Sequence, residues 1–354
     1  MKRLNKKVKV MIVDDSAFMR KVIRDILSSD DEIEVIDTAK NGLDAIKKAK
    51  VLNPDVVTLD INMPVMDGLL CLKELNRLLK VSVIMLSSVS KEGAEATIKA
   101  LDDGAIDFIT KPSNIFHMSG EEKKNEIVQK IKIAGRALDN YDSNKEKFLI
   151  DEDLVKEKTE LKYIVAIGTS TGGPKALQKL ISSIHPNVEA AFLVVQHMPP
   201  GFTKSLADRI DYISKVKVKE AEDNEVIKGS HVYIAPGDSH LMVSKSSENV
   251  LKIKLSKDPP VNGHRPSVDV MMKSLSNTNF KNIIGVIMTG MGRDGSEGVE
   301  ILKNTNNAHI IAQDKKSCIV FGMPKEAILK GVVDVVAALD EIANEIMKTM
   351  GVHK

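Results

Sequence analysis

From Val8 to about Leu138, short apolar runs alternate with amphipathic stretches. That alternation predicts parallel strands joined by helices that cover both faces of one sheet. Strands are predicted at Val8–Val13, Val35–Ala39, Val56–Leu59, Val83–Leu86 and Ala105–Ile109, which makes five βα units. Ser16 opens one helix, and another runs from Gly68 to Leu79 with Leu69, Leu72, Leu75 and Leu79 at helical spacing. Residues 139–160, DNYDSNKEKFLIDEDLVKEKTE, are dense in charge without a sustained apolar period and read as a linker, partly helical at most. A second alternation starts at Lys162, with strands predicted near Tyr163–Ile167, Ala191–Gln196 and Ile283–Met288. Between Val216 and Leu255 the runs VKVKE, HVYIA, HLMV and LKIKL suggest a small antiparallel insertion. Helices are predicted to start near Pro174, Gly201, Ser267 and Asp294, and an amphipathic helix from Leu339 to Met350 closes the chain. The predicted class is therefore α/β: a (βα)5 doubly wound parallel sheet over 7–138, the linker 139–160, and a second α/β domain over 161–354.

Composition narrows what such domains do. The 354 residues suffice for two ordinary domains, and 43% apolar with 28% charged residues is a soluble globular balance. With 51 basic and 49 acidic residues the net charge is only +2, too weak a field to hold nucleic acid or an anionic membrane nonspecifically. Aromatics are 3% and Trp is absent, which argues against base-stacking surfaces. The basic opening MKRLNKK precedes an apolar stretch, Val8–Val13, too short for a signal peptide, and no run of about 18 apolar residues exists to span a membrane. Cys71 and Cys318 stand far apart in no metal or redox spacing and are expected to be buried thiols in a reducing, cytoplasmic setting.

Candidate chemistry lies at strand ends. Asp14 and Asp15 follow the first predicted strand and Asp60 ends the third, so in a parallel sheet all three carboxylates meet at one edge. Three carboxylates together repel unless a cation sits among them, and hard oxygen ligands suit Mg²⁺. Lys111, past the fifth strand, adds positive charge at that edge, and Ser87, after the fourth, offers a hydroxyl. Singly, such acids also read as helix caps or solvated groups. Together, the blocks VDDS, LDINMPVMDG, MLSS and DFITKP resemble the receiver domain of two-component response regulators over about 130 residues. The resemblance implies Asp60 as phosphoacceptor, with Asp14, Asp15, Asp60 and the backbone carbonyl of Asn62 as Mg²⁺ ligands. It further implies Lys111 and Ser87 as phosphate contacts and Phe108 as an aromatic switch; Ser88, beside Ser87, stays an alternative for the hydroxyl.

In the second domain AIGTSTGGPKAL runs from a strand through Gly168, Gly172 and Gly173 into a helix opened by Pro174, placing Ser170 in a tight strand-to-helix turn. Residues 168–172 fit G-x-S-x-G, a weak pattern alone. The loop lacks the G-K-[ST] ending of a nucleotide-binding turn and does not fit G-x-G-x-x-G; a plain structural turn capped by Ser170 is the other reading. A nucleophilic serine needs a base and a carboxylate to orient it. His197 follows the strand Ala191–Gln196 at the same edge, whereas His185 precedes Pro186 in a loop, His231 and His240 fall in the insertion, and His117 belongs to the first domain. Asp294, after Ile283–Met288 and TGMGR, is the acid candidate, with an ordinary N-cap as its structural alternative. The chain order Ser, His, Asp is not that of the α/β-hydrolase fold.

The blocks GTSTGGP, VVQHMPPGFT, YIAPGDSHL, HRPSVDV and MTGMGRDG, in this order, resemble the chemotaxis protein-glutamate methylesterase family, and with the receiver they cover nearly the whole chain. The resemblance implies a Rossmann-like methylesterase domain with Ser170, His197 and Asp294 as triad and the Met291 N–H as an oxyanion donor, while His264, Arg265 and Ser267 line or support the cleft. It implies hydrolysis of glutamyl methyl esters on the cytoplasmic domains of chemoreceptors, deamidation of receptor glutamines, and no cofactor for the esterase. A chemotaxis histidine kinase would be the phosphodonor, and phosphorylation would relieve restraint by the receiver; neither nucleic-acid binding nor membrane insertion is implied. A DNA-binding response regulator would instead carry a helix-turn-helix module of less than about 100 residues, roughly half the length of the chain beyond the linker. A signalling adaptor would not depend on Ser170.

Overall fold

The computed structural model describes residues 7–111, 121–137, 160–246 and 250–352. The chain divides into two compact units, Met1–Lys145 and Glu146–Lys354. The division falls within the predicted linker, most of which (139–159) lies outside the described residues, as do Pro112 and His117.

In the first unit β1 (Val8–Val13), β2 (Ile33–Ala39), β3 (Val56–Asp60), β4 (Ser82–Ser87) and β5 (Asp107–Thr110) form one parallel sheet in the order β2-β1-β3-β4-β5. β3 and β4 are buried along their whole length, as central strands covered on both faces must be. Helix Ala17–Leu27 packs with Glu121–Ala137, while Gly42–Leu52, Gly68–Leu78 and Lys91–Asp102 pack in succession. Four of these helices start on a side chain that accepts from the first turn: Ser16 from Met19, Asn41 from Asp44, Asp67 from Leu70 and Ser90 from Gly93. Each such cap contributes about 1 kcal/mol. The fifth strand starts at Asp107 rather than Ala105, because Gly104 turns left-handed and Ala105 donates back to Ala100 O, closing the preceding helix.

The second unit contains β6 (Tyr163–Thr169), β7 (Ala190–Gln196), β8 (Lys217–Glu220), β9 (His231–Ile234), β10 (His240–Lys245), β11 (Leu251–Ser256), β12 (Ile283–Ile287), β13 (His309–Gln313) and β14 (Val335–Ala337). Seven of them form a parallel sheet in the order β14-β13-β12-β6-β7-β9-β8. The predicted insertion is only half right. β10 and β11 pair antiparallel, but VKVKE and HVYIA extend the main sheet in parallel as β8 and β9. The alternation in VKVKE, suggestive of antiparallel pairing, is that of an edge strand buried on one side, with Val216 and Val218 inside. β13, β14 and the helix Met323–Leu329 have no counterpart among the predicted elements. The core joins Ile164, Leu193 and Ile287 of the sheet to Met271, Met272 and Leu275 of helix Val268–Ser276 and to Val299 and Leu302 of helix Ser296–Asn306. Among the described residues, no helix is long and apolar enough to cross a membrane.

Candidate active site

In both sheets strand order reverses about the first strand, β1 lying between β2 and β3, and β6 between β7 and β12. Loops from the carboxyl ends of these strands diverge and leave a crevice, where ligands of open α/β sheets bind. The candidate residues of each unit lie at that point.

In the first unit Asp14, Asp15 and Asp60 each bring a carboxylate oxygen within 4.8 Å of the others. Lys111 Nζ reaches Asp14 Oδ2 at 2.7 Å and Asp60 Oδ1 at 2.8 Å. The Ser16 N–H fixes Asp14 Oδ1 at 2.9 Å, but Asp14 Oδ2 is buried and, among the described residues, meets Lys111 only as an ion pair without directed hydrogen-bond geometry. Burial pushes the Asp60 carboxyl up from its ordinary value, and the Asp14 charge adds to this against the opposing pull of Lys111. Lys111 moves upward too, its two carboxylate partners overcoming the cost of burial. Such a pocket is short of positive charge, and its three carboxylates fit a hard divalent cation. Ser87 is fully buried; it donates to Gly93 O at 3.0 Å and accepts from Thr97 Oγ1 at 2.7 Å. Its neighbour Ser88 is exposed and meets Ser90 Oγ at 3.3 Å. Phe108 is buried, with Lys130 Nζ 5.2 Å from its ring centre.

In the second unit Ser170 follows β6, His197 follows β7, and Asp294 lies seven residues beyond β12. The turn after β6 is tightly tied: Ser170 N–H donates to Thr289 O at 3.0 Å, Gln196 Nε2 to Ser170 O at 2.9 Å, and His197 N–H to Thr169 O at 3.2 Å. Gly172 has φ +78° and its missing Cβ would meet Ile319 Cβ at 2.7 Å, so the turn demands glycine twice over. His197 Nε2 lies 2.8 Å from Asp294 Oδ2. Asp294 also accepts from Ser267 Oγ at 2.8 Å, Val268 N at 2.7 Å and Asp269 N at 3.2 Å. Burial alone would raise its carboxyl, but His197, Val268 and Ser267 together hold it down at about 2. An ionised acid only accepts, so His197 Nε2 carries the proton and Nδ1 keeps a free lone pair. Among the described residues, neither His197 Nδ1, which is buried, nor Ser170 Oγ has a hydrogen-bond partner. Such bonds are often absent before substrate binds.

The sequence admits Asp294 as the acid or as an ordinary cap. It does cap a helix, but that helix is Val268–Ser276 rather than the one it precedes. Met291 follows Gly290, whose missing Cβ would lie 2.9 Å from Ser170 Cβ, and among the described residues the Met291 N–H meets no acceptor. His264 stacks on His197 with ring centres 3.8 Å apart and planes 9° off parallel. It is carried there by a Val261–His264 turn with Asn262 and Gly263 both at positive φ, the hairpin geometry that Asn-Gly favours. Arg265 instead pairs with Asp238 through Nε at 3.0 Å and holds Lys257 O at 2.9 Å. Sequence reasoning misses Asp269. Its carboxyl is buried and pushed up to about 7 by burial and by the charge of Asp294. In sequence it looks like any acid in a first helical turn.

Fold and strand-end residues define a class: a receiver-type unit ahead of an α/β unit with a hydroxyl, an imidazole and a carboxylate around one switch point. The response regulator receiver model matches residues 10–119 and the CheB methylesterase model residues 165–346. The chain belongs to the CheB methylesterase family. It is 44% identical to a protein-glutamate methylesterase/protein-glutamine glutaminase of Syntrophomonas wolfei over 349 residues, 97% of this chain and 99% of that one. A protein of the same description from Halalkalibacterium halodurans is 45% identical over 98% of this chain and 99% of its own. The crystal structure of the Thermotoga maritima CheB methylesterase catalytic domain matches 53% of this chain and 97% of that one with a TM-score of 0.51 at 44% identity.

Proposed function

We propose that this chain is a cytoplasmic protein-glutamate methylesterase and protein-glutamine glutaminase acting on chemoreceptors, with its activity set by phosphorylation of the receiver. The observation that most supports it is the Asp294–His197 pair, which leaves His197 Nδ1 unprotonated at the switch point beside Ser170. Nδ1 takes the Ser170 proton as Oγ bonds to the ester carbonyl carbon. The developing oxyanion is met by the Met291 N–H, and a donor of this kind is worth about 3 to 4 kcal/mol in a transition state. Collapse breaks the C–O bond to methoxide, which leaves as methanol with the proton from Nδ1. Water then attacks the acyl-serine, giving its proton to Nδ1, and free glutamate leaves as Ser170 recovers that proton. With a glutamine side chain the same steps release ammonia.

In the receiver, Asp60 is the phosphoacceptor, and Asp14, Asp15, Asp60 and the Asn62 carbonyl hold Mg²⁺. The cation, when bound, offsets charge on an incoming phosphoryl group. Lys111 already neutralises part of the pocket and would follow the phosphoryl oxygens; Ser87 would exchange Gly93 O for one of them, with Phe108 responding behind it. A chemotaxis histidine kinase is the natural donor for such an acceptor. Methanol release from methylated receptor membranes tests the esterase: wild type should release it and Ser170→Ala should not. Release undiminished in Ser170→Ala would sink the serine mechanism.

A further inference from the structure

Two helices begin beside the candidate acid, and each is capped by a carboxyl belonging to the other. Asp294 precedes helix Ser296–Asn306, yet its oxygens take the N–H groups of Val268 and Asp269 at the head of helix Val268–Ser276. Asp269, in the first turn of that helix, sends its own Oδ1 back to the N–H groups of Gly295 at 2.9 Å and Gly298 at 2.7 Å. A shift of either carboxyl releases two N–H donors at the opposite helix head, and a buried donor left unmet is destabilising. The exchange also explains why Gly295, with no side chain to cap the helix it precedes, suffices there.

We propose that Asp269 is a positioning residue of the site, clamping the two helix heads so that Asp294 Oδ2 stays on His197, and that its charge sets how basic His197 Nδ1 is. The inference rests on the serine-esterase reading above. Facing Asp269 across the clamp is Asp294, with His197 behind it; Lys330, at the end of helix Met323–Leu329, feels its charge, and Asn262 Nδ2 approaches Oδ2 at 3.3 Å. Two charged carboxyls in this buried space repel, so Asp269 is protonated over part of the pH range. Ionised, it adds negative charge near the imidazolium that forms on His197 during reaction; protonated, it does not.

Asp269→Asn keeps the volume and an oxygen for Gly295 and Gly298 but fixes the neutral state, whereas Asp269→Ala removes the clamp. Using full-length protein, kcat and KM for methanol release are measured across pH together with the NMR titration of the His197 ring. Asp269→Ala should lose about 10- to 100-fold in kcat at every pH with KM little changed. Asp269→Asn should come within about 3-fold of wild type near pH 6 and fall to about a tenth of it near pH 9, where wild type is ionised. In the Asn variant the His197 titration should move down by about half a unit to one unit. Wild-type kcat in Asp269→Ala would overturn the proposal, as would equal loss in both variants at all pH with His197 unmoved. A wild-type protein that releases no methanol while His197 still shifts would defeat the esterase reading and leave the clamp standing; turnover with His197 unmoved would do the reverse.

Discussion

The carboxylates of the two units sit at equivalent points, the carboxyl ends of strands where the order of a parallel sheet reverses, yet they are satisfied differently. Asp294 receives four donors and is held at about 2, locked as an anion whatever the pH of a cell. Asp60 shares one lysine with Asp14 and is pushed the other way, so its charge is costly and its oxygens remain available. The same contrast runs through the helix heads. Four helices of the receiver carry Ser, Asn, Asp and Ser caps, while the helix after Ser170 starts at Gly172 with no side-chain cap and, among the described residues, the Met291 N–H meets no acceptor. A group that must orient a partner is saturated, whereas a group that must react, or a backbone that must meet developing charge, is left open.

The largest effect is expected from removing Ser170 or His197. Ser170→Ala and His197→Ala should each lower methanol release by roughly 10³-fold or more, with the double variant little worse, because members of one unit do not add. Losses that multiply would mean the two act separately. On the receiver side, Asp60→Asn should abolish phospholabelling by a phosphohistidine kinase, and chelation of divalent cations should do nearly the same in wild type. Labelling that survives both would place the acceptor elsewhere.

How much of this is legible in the sequence depends on which contacts are local. Strand-end residues are readable because a parallel sheet brings every carboxyl end to one edge, so Asp14, Asp60, Ser170 and His197 can be placed without knowing strand order. Pairing direction is not readable for VKVKE and HVYIA, since runs this short carry burial but not orientation. Asp269 is invisible for a different reason. Its partners Gly295 and Gly298 lie 26 and 29 residues away, and only tertiary packing turns an ordinary first-turn acid into a buried one. The family resemblance assigns His264 to the cleft, but its stacking on His197 depends on the Asn262–Gly263 turn, whose position beside His197 no local pattern reveals.

A smaller effect is expected from separating the units. A chain beginning near Leu161 should release methanol faster than unphosphorylated full-length protein by roughly 5- to 150-fold, the range of a coupling worth about 1 to 3 kcal/mol. A small phosphodonor should raise only the full-length rate. Equal rates with no response to phosphodonor would leave the receiver a recruiting role and remove regulation from the comparison.

A further effect concerns stability, and it separates Asp269 from Asp294 by sign. Asp294, held at about 2 against an ordinary 3.8, contributes stability that is complete above about pH 4 and lost as pH falls toward 2. Asp269 is raised from 3.8 to about 7, so its contribution is greatest below the unfolded value and is lost as pH rises between those limits. Asp269→Asn cannot ionise and should escape that loss. Relative to the variant, wild type should therefore weaken by up to about 1.4 kcal/mol per pH unit between pH 4 and 7 and run parallel to it above. Three of the four tyrosines, Tyr163, Tyr212 and Tyr233, lie in the second unit, so tyrosine emission during urea unfolding is weighted toward the relevant transition. A stability difference independent of pH would mean that Asp269 titrates alike folded and unfolded. The clamp would then act by geometry alone, and Asp294 would be the only carboxyl of the site whose charge the fold controls.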